Sequence, residues 1–102
     1  MGLHYSGGIG SVYDKELDKP ISTIDYQLIE TDATKYTKKK WWGEFYSSKK
    51  IKRTGVYRIE LEDGQSGDCV VWVKDDIVQD RASQYHYHFN GRGKLGKKGY
   101  SL

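Results

Sequence analysis

The sequence predicts an all-β protein, a small five-stranded antiparallel barrel with at most one or two short helical turns. Three observations carry that expectation. Apolar and polar residues alternate at period two in several segments, the spacing that puts successive side chains on opposite faces of a sheet. In "VYRIELE", residues 56–62, Tyr57, Ile59 and Leu61 point one way while Arg58, Glu60 and Glu62 point the other. Asp63 and Gly64, residues that tolerate positive φ, then separate this run from "GDCVVWVK", which reads as the returning strand of a hairpin. Helix signals, in contrast, are few and short.

The first 20 residues contain "SGGIGS" and the brief turn-former "YDKELDKP", ended by Pro20, and are expected to form a mobile N-terminal segment. The single barrel domain is expected over residues 21–90. Its strands are "STIDYQLIE", where Ile24, Tyr26 and Leu28 alternate, then "KWWGEFYS", the two arms of the hairpin, and "QYHYHFN". "DDIVQDRAS", residues 75–83, can form one or two helical turns, with Asp76 and Gln79 at capping-box spacing. Residues 91–102 read as a basic Gly/Lys tail. Five strands with a helical turn before the last suit an SH3-like barrel; an OB-like barrel, whose helix usually comes one strand earlier, is the second choice.

Nine tyrosines and three tryptophans supply a core that a 30% charged chain would otherwise lack. A single cysteine, Cys69, excludes an internal disulfide, and no leader or apolar span is evident. A cytoplasmic protein without membrane association, metal or cofactor is therefore expected.

The net charge of +3 conceals strong segregation. Between residues 33 and 53 lie Lys35, Lys38, Lys39, Lys40, Lys49, Lys50, Lys52 and Arg53 against the single acid Glu44. From Asn90 onward, Arg92, Lys94, Lys97 and Lys98 face no acid at all, whereas residues 1–32 and 54–89 each total −4. The first basic segment also carries Tyr36, Trp41, Trp42, Phe45 and Tyr46. Cations can neutralise phosphates and aromatic faces can stack on bases, so this mixture points to single-stranded nucleic acid or RNA. On a strand, Trp41, Gly43 and Phe45 share one face and Trp42, Glu44 and Tyr46 the other, so one indole is expected inside and one outside.

Other motifs say less. "GRGKLGKKG" has the frame of a phosphate-binding loop, but Lys98 stands where Ser or Thr must hold magnesium. His86 and His88 share a strand face, yet two imidazoles do not make a metal site, even with Cys69, Asp68 or His4 as possible third ligands. A ribonuclease-like assembly of His86, His88, Glu44, Arg58 and Arg92 is conceivable chemically, although no spacing singles it out. Glu60 and Glu62 read as the solvated side of the hairpin, and Cys69 as a core residue in phase with Val71 and Val73.

The expected function is a noncatalytic module binding nucleic acid through Lys35, Lys38, Lys39, Lys40, Trp41, Trp42, Tyr46, Lys49, Lys50, Lys52, Arg53, Arg92, Lys94, Lys97 and Lys98. The alternatives are an adaptor or inhibitor docking on an acidic protein surface, and a small ribonuclease using His86 and His88.

Overall fold

A computed structural model describes residues 2–75 and 84–97, with backbone alone for Lys74, Asp75 and Lys97. The described chain is all β: β1 (Leu3–Asp14), β2 (Lys19–Thr31), β3 (Trp41–Ser47), β4 (Gly55–Glu60), β5 (Gln65–Asp75) and β6 (Tyr85–Lys97). All neighbours are antiparallel, and the ring closes in the order β1-β2-β3-β6-β5-β4. The small antiparallel barrel is as expected; it has six strands rather than five.

The sixth strand comes from the N-terminal segment. Residues 3–14 pair with β2 along their whole length, and Ser11, Val12 and Tyr13 close the ring on β4. Their apolar alternation is interrupted by glycines, which conceals the strand in the sequence, yet those glycines are what the barrel needs there. A Cβ on Gly10 would sit 2.2 Å from the Glu60 carbonyl oxygen and 3.2 Å from the Tyr26 ring, so only glycine permits the close approach of β1 to β4. The barrel thus spans more than residues 21–90 at both ends, since β6 continues through the expected tail to Lys97. Closure by β1 gives the ring order β1-β2-β3-β6-β5-β4.

"YDKELDKP" makes a turn between β1 and β2 rather than a helix: Asp14 accepts the N–H groups of Glu16 (2.8 Å) and Leu17 (3.0 Å), and Asp18 takes a positive φ of 54°. Pro20 sits beside an irregularity where the register slips between Val12 and Tyr13, a position that needs no ladder N–H. The Asp63-Gly64 hairpin forms as expected, with Gly64 at φ 93° and Leu61 bonded to Gln65. The helical turn expected over 75–83 lies outside the described residues.

Alternation fills the barrel. Ile24, Tyr26 and Leu28 from β2 meet Phe45 from β3, Ile59 from β4, Cys69 and Val71 from β5, and Tyr87 and Phe89 from β6, all buried. Phe45 lies between Tyr87 and Phe89, at centroid distances of 5.4 and 6.0 Å.

Antiparallel order fixes two mouths. The upper carries the 32–40 connection between β2 and β3 and the 61–64 turn; the lower carries 15–18 and 48–54. Because β3 and β4 are not ring neighbours, residues 48–54 must cross the lower mouth. Ile51 plugs it, buried, its N–H donating to the Tyr87 hydroxyl at 2.6 Å. Ser47 supports the crossing from inside: its hydroxyl donates to the Lys49 carbonyl (2.6 Å), accepts the Lys49 N–H (3.1 Å) and meets Ser22 Oγ (2.8 Å).

Candidate nucleic-acid interface

The basic segment at residues 33–53 is divided by the fold. Lys35, Lys38, Lys39 and Lys40 belong to the upper mouth, whereas Lys49, Lys50, Lys52 and Arg53 lie on the crossing at the lower one. Seven residues of β3 separate the groups, about 20 Å of extended chain. Ammonium groups that adjoin in sequence therefore face opposite ends of the molecule.

At the upper mouth the two basic segments do meet. The chain 32–40 is organised by Thr34, whose Oγ1 accepts the N–H groups of Tyr36 (3.1 Å) and Thr37 (2.9 Å), and is pinned to β2 by the Thr31 N–H donating to the Lys40 carbonyl at 2.9 Å. Pairing of β3 with β6 ends at Trp42 opposite Asn90, while β6 runs on along β5 to Lys97. The resulting cleft, about 900 Å³, is lined by Ala33, Lys38, Lys39, Lys40, Trp41, Trp42, Asn90, Gly91, Gly93, Lys94 and Leu95. Among the described residues that lining contains four lysines and no acid.

Trp41 makes the floor. It turns inward, 4% exposed, with Nε1 donating to the Gly93 carbonyl at 3.0 Å and the indole lying on the backbone of Gly91. A Cβ at Gly91 would come within 2.1 Å of the indole, so the glycine is required sterically. Trp42 turns outward and stays half-buried, between Ile29 and Asn90 in register. One indole inside and one outside is the expected division.

Lys39 forms an ion pair with Glu30 at 3.0 Å. No such pair involves Lys38, Lys40 or Lys94 among the described residues, so their charge is available to a ligand. Asp32, at the start of the 32–40 connection, is engaged elsewhere: the His4 imidazole (2.6 Å) and the Gly2 N–H (3.2 Å) bond it, and the His4 hydrogen bond holds its carboxyl below the usual range. Arg92 is exposed on β6, opposite Asp68 in register and outside the cleft lining. The Lys97 side chain and Lys98 lie outside the described residues.

At the lower mouth a smaller hollow, about 530 Å³, has mixed charge: Lys15 and Arg53 share it with Asp14 and Glu16. Its cations face acids as neighbours, so an anion gains less there. Tyr46 lies on the outer wall, stacked on His86 with ring centroids 4.4 Å apart.

The histidines are held by packing. His86 is 6% exposed and its Nε2 contacts the Glu44 carboxylate across the β3–β6 pair, while His88 stacks on Trp72 at 5.7 Å. Arg58 is committed to Asp18 at 2.8 Å and to the Tyr13 ring at 4.4 Å, and Arg92 belongs to the upper end of β6. Of the five residues of the ribonuclease-like assembly, Glu44, His86 and His88 adjoin on the β3–β6 pair, with the two imidazoles 6.0 Å apart, while Arg58 and Arg92 lie elsewhere. Cys69 faces the interior, where burial pushes its thiol up to about 12, away from the outer-wall histidines. No group of three potential metal ligands occurs among the described residues. Glu60 and Glu62 turn toward β1, accepting the Tyr13 hydroxyl (3.0 Å) and the Ile9 N–H (2.8 Å).

Asn90, Gly93 and Leu95 are cleft residues that the sequence reading left out. The signal was present: Phe89, Gly91, Gly93 and Leu95 continue the alternation of β6 into the segment read as a tail, and Leu95 packs on the core. The same strand spans "GRGKLGK", with a register irregularity and a positive φ of 76° at Gly93, and it pairs with β5 instead of forming a loop before a helix.

No known protein family, curated protein or solved structure shows significant similarity to this chain.

Proposed function

We propose that the protein is a noncatalytic module that binds single-stranded nucleic acid, RNA included, in the upper-mouth cleft. The observation that carries this reading is a cavity lined, among the described residues, by four lysines, two tryptophans and an asparagine without a single carboxylate. Lys38, Lys40 and Lys94 meet phosphates, the half-buried Trp42 offers its indole to a base, and Asn90 presents an amide to base edges. The sealed Trp41 shapes the floor and makes no stacking contact itself. Lys49, Lys50, Lys52 and Arg53 are excluded from the interface by their place at the other mouth.

Titration with a mixed-sequence single-stranded oligonucleotide tests this. At about 50 mM salt, binding quenches tryptophan emission, and three released counterions give a log–log salt slope of about −2. Unchanged emission together with unchanged electrophoretic mobility at that salt overturns the reading. An acidic protein surface would meet the same lysines, so capture from lysate before and after nuclease separates the two: a protein partner survives the digestion.

A further inference from the structure

We propose that residues 3–7 of β1 pair with the same residues of a second copy, forming a two-fold dimer through a shared sheet. β1 pairs with β2 along its whole length but with β4 only at Ser11, Val12 and Tyr13, so among the described residues no strand covers the other edge of residues 3–9. The direction of the free groups is fixed by Ile9, whose N–H points away from β2 to the Glu62 carboxylate at 2.8 Å. By the two-residue period, the N–H and C=O of Leu3, Tyr5 and Gly7 point the same way. Edge strands are usually protected by lysine, proline or a bulge. Residues 3–7 have none of these and expose Leu3 (50%) and Tyr5 (71%), with Ile9 (54%) next along the strand.

A second copy fits this edge better than an arbitrary strand does, because the edge is its own complement. Antiparallel pairing about Tyr5 sets Tyr5 opposite the second copy's Tyr5 and Leu3 opposite the second copy's Gly7, so no two bulky aliphatic chains collide. The one titratable side chain within the ladder besides tyrosine, His4, is turned onto Asp32 at 2.6 Å, so no like charges meet across the axis. Glu62 keeps its bond to Ile9 and ends the ladder at Gly7. Tyr5 stands level with Ile29 and, through it, with Trp42. The dimer therefore joins β3-β2-β1 of both copies into one sheet, with the two Trp42 positions five strand spacings, about 24 Å, apart. This assembly does not depend on the nucleic-acid reading, but it would present two clefts to one polyanion.

Sedimentation of nuclease-treated protein in about 0.5 M salt, where polyanion bridging is suppressed, separates the two ideas. From about 1 μM to about 1 mM protein the mass rises from one chain, 11.8 kDa, toward two, with a midpoint in the tens of micromolar, as suits a small interface. Tyr5→Lys and Tyr5→Pro each raise that midpoint at least about 10-fold, by a charge on the edge and by loss of an outward N–H. Both keep the far-ultraviolet spectrum of the parent, since neither touches the ladder to β2, while Val73→Lys on exposed β5 leaves the midpoint unchanged. A single-chain mass throughout the range overturns the proposal and frees the edge for a different strand. Mass doubling that survives both Tyr5 variants overturns it too.

Discussion

The two mouths of the barrel carry similar cations and have opposite character. At the upper mouth, adjacent strands β2 and β3 are joined by a chain that arches outward, and a lysine-lined cleft remains over the Trp41 floor. At the lower mouth, the crossing from β3 to β4 is drawn over the opening and Ile51 fills it, leaving Lys49, Lys50 and Lys52 exposed on the crossing and Arg53 in a hollow with Asp14 and Glu16. Lys38, Lys39 and Lys40 of the basic segment gather around a cleft at the mouth that no connection among the described residues crosses. Lysine content alone does not separate the two ends.

The comparison can be broken most forcefully at the floor. Trp41→Ala removes an indole buried against Gly91 and Phe89 and is expected to cost about 3–5 kcal/mol in urea unfolding, as large aromatic truncations do. Ile51→Ala at the opposite plug costs about 2–4 kcal/mol in the same measurement and leaves oligonucleotide affinity of the folded protein unchanged. Equal loss of affinity in both variants would erase the distinction between mouths.

Next in size is the charge test. Replacing Lys38, Lys40 and Lys94 with alanine lowers oligonucleotide affinity at about 50 mM salt by at least about 30-fold and flattens the salt slope, whereas alanine at Lys49, Lys50 and Lys52 lowers it less than about 3-fold. A similar fall in both triples would show that the mouths act as one field.

Smaller again, Tyr87→Phe deprives the Ile51 N–H of its acceptor inside the barrel. The expected loss is about 1–2 kcal/mol in unfolding free energy, with binding retained.

The last effect is read with pH. The Cys69 thiol titrates near 9.0 when unfolded and is pushed by burial to about 12 in the fold. The native state therefore holds its proton while the unfolded chain loses it, and stability falls as pH rises between those values. Cys69→Ala removes the thiol's share of that slope, as unfolding curves at stepped alkaline pH measure, and leaves the share of Tyr13 and Tyr57, whose hydroxyls are also raised. In the native wild type the thiol resists alkylation at pH 8, and it reacts once urea exposes it.

Much of the barrel was legible in local pattern. Tyr57, Ile59 and Leu61 alternate without interruption and end at Asp63-Gly64, so strand and turn specify the same hairpin. β1 was hidden because its inward positions include Gly8 and Gly10, residues with no apolar signal, whose value appears only when Tyr26 and the β4 backbone press against them. The far part of β6 was hidden for a related reason: Gly91 reads as tail composition until Trp41 lies across it.

The sequence by itself determined the β class, the central hairpin, the inward and outward division of Trp41 and Trp42, and the supply of cations. All are consequences of period-two alternation and residue chemistry, which act within a few positions of the chain. Only the tertiary structure decided which cations share a surface. Ring order is set by contacts between residues far apart in sequence, and that order divides the lysines on either side of β3 while bringing Lys94 beside Lys38 and Lys40.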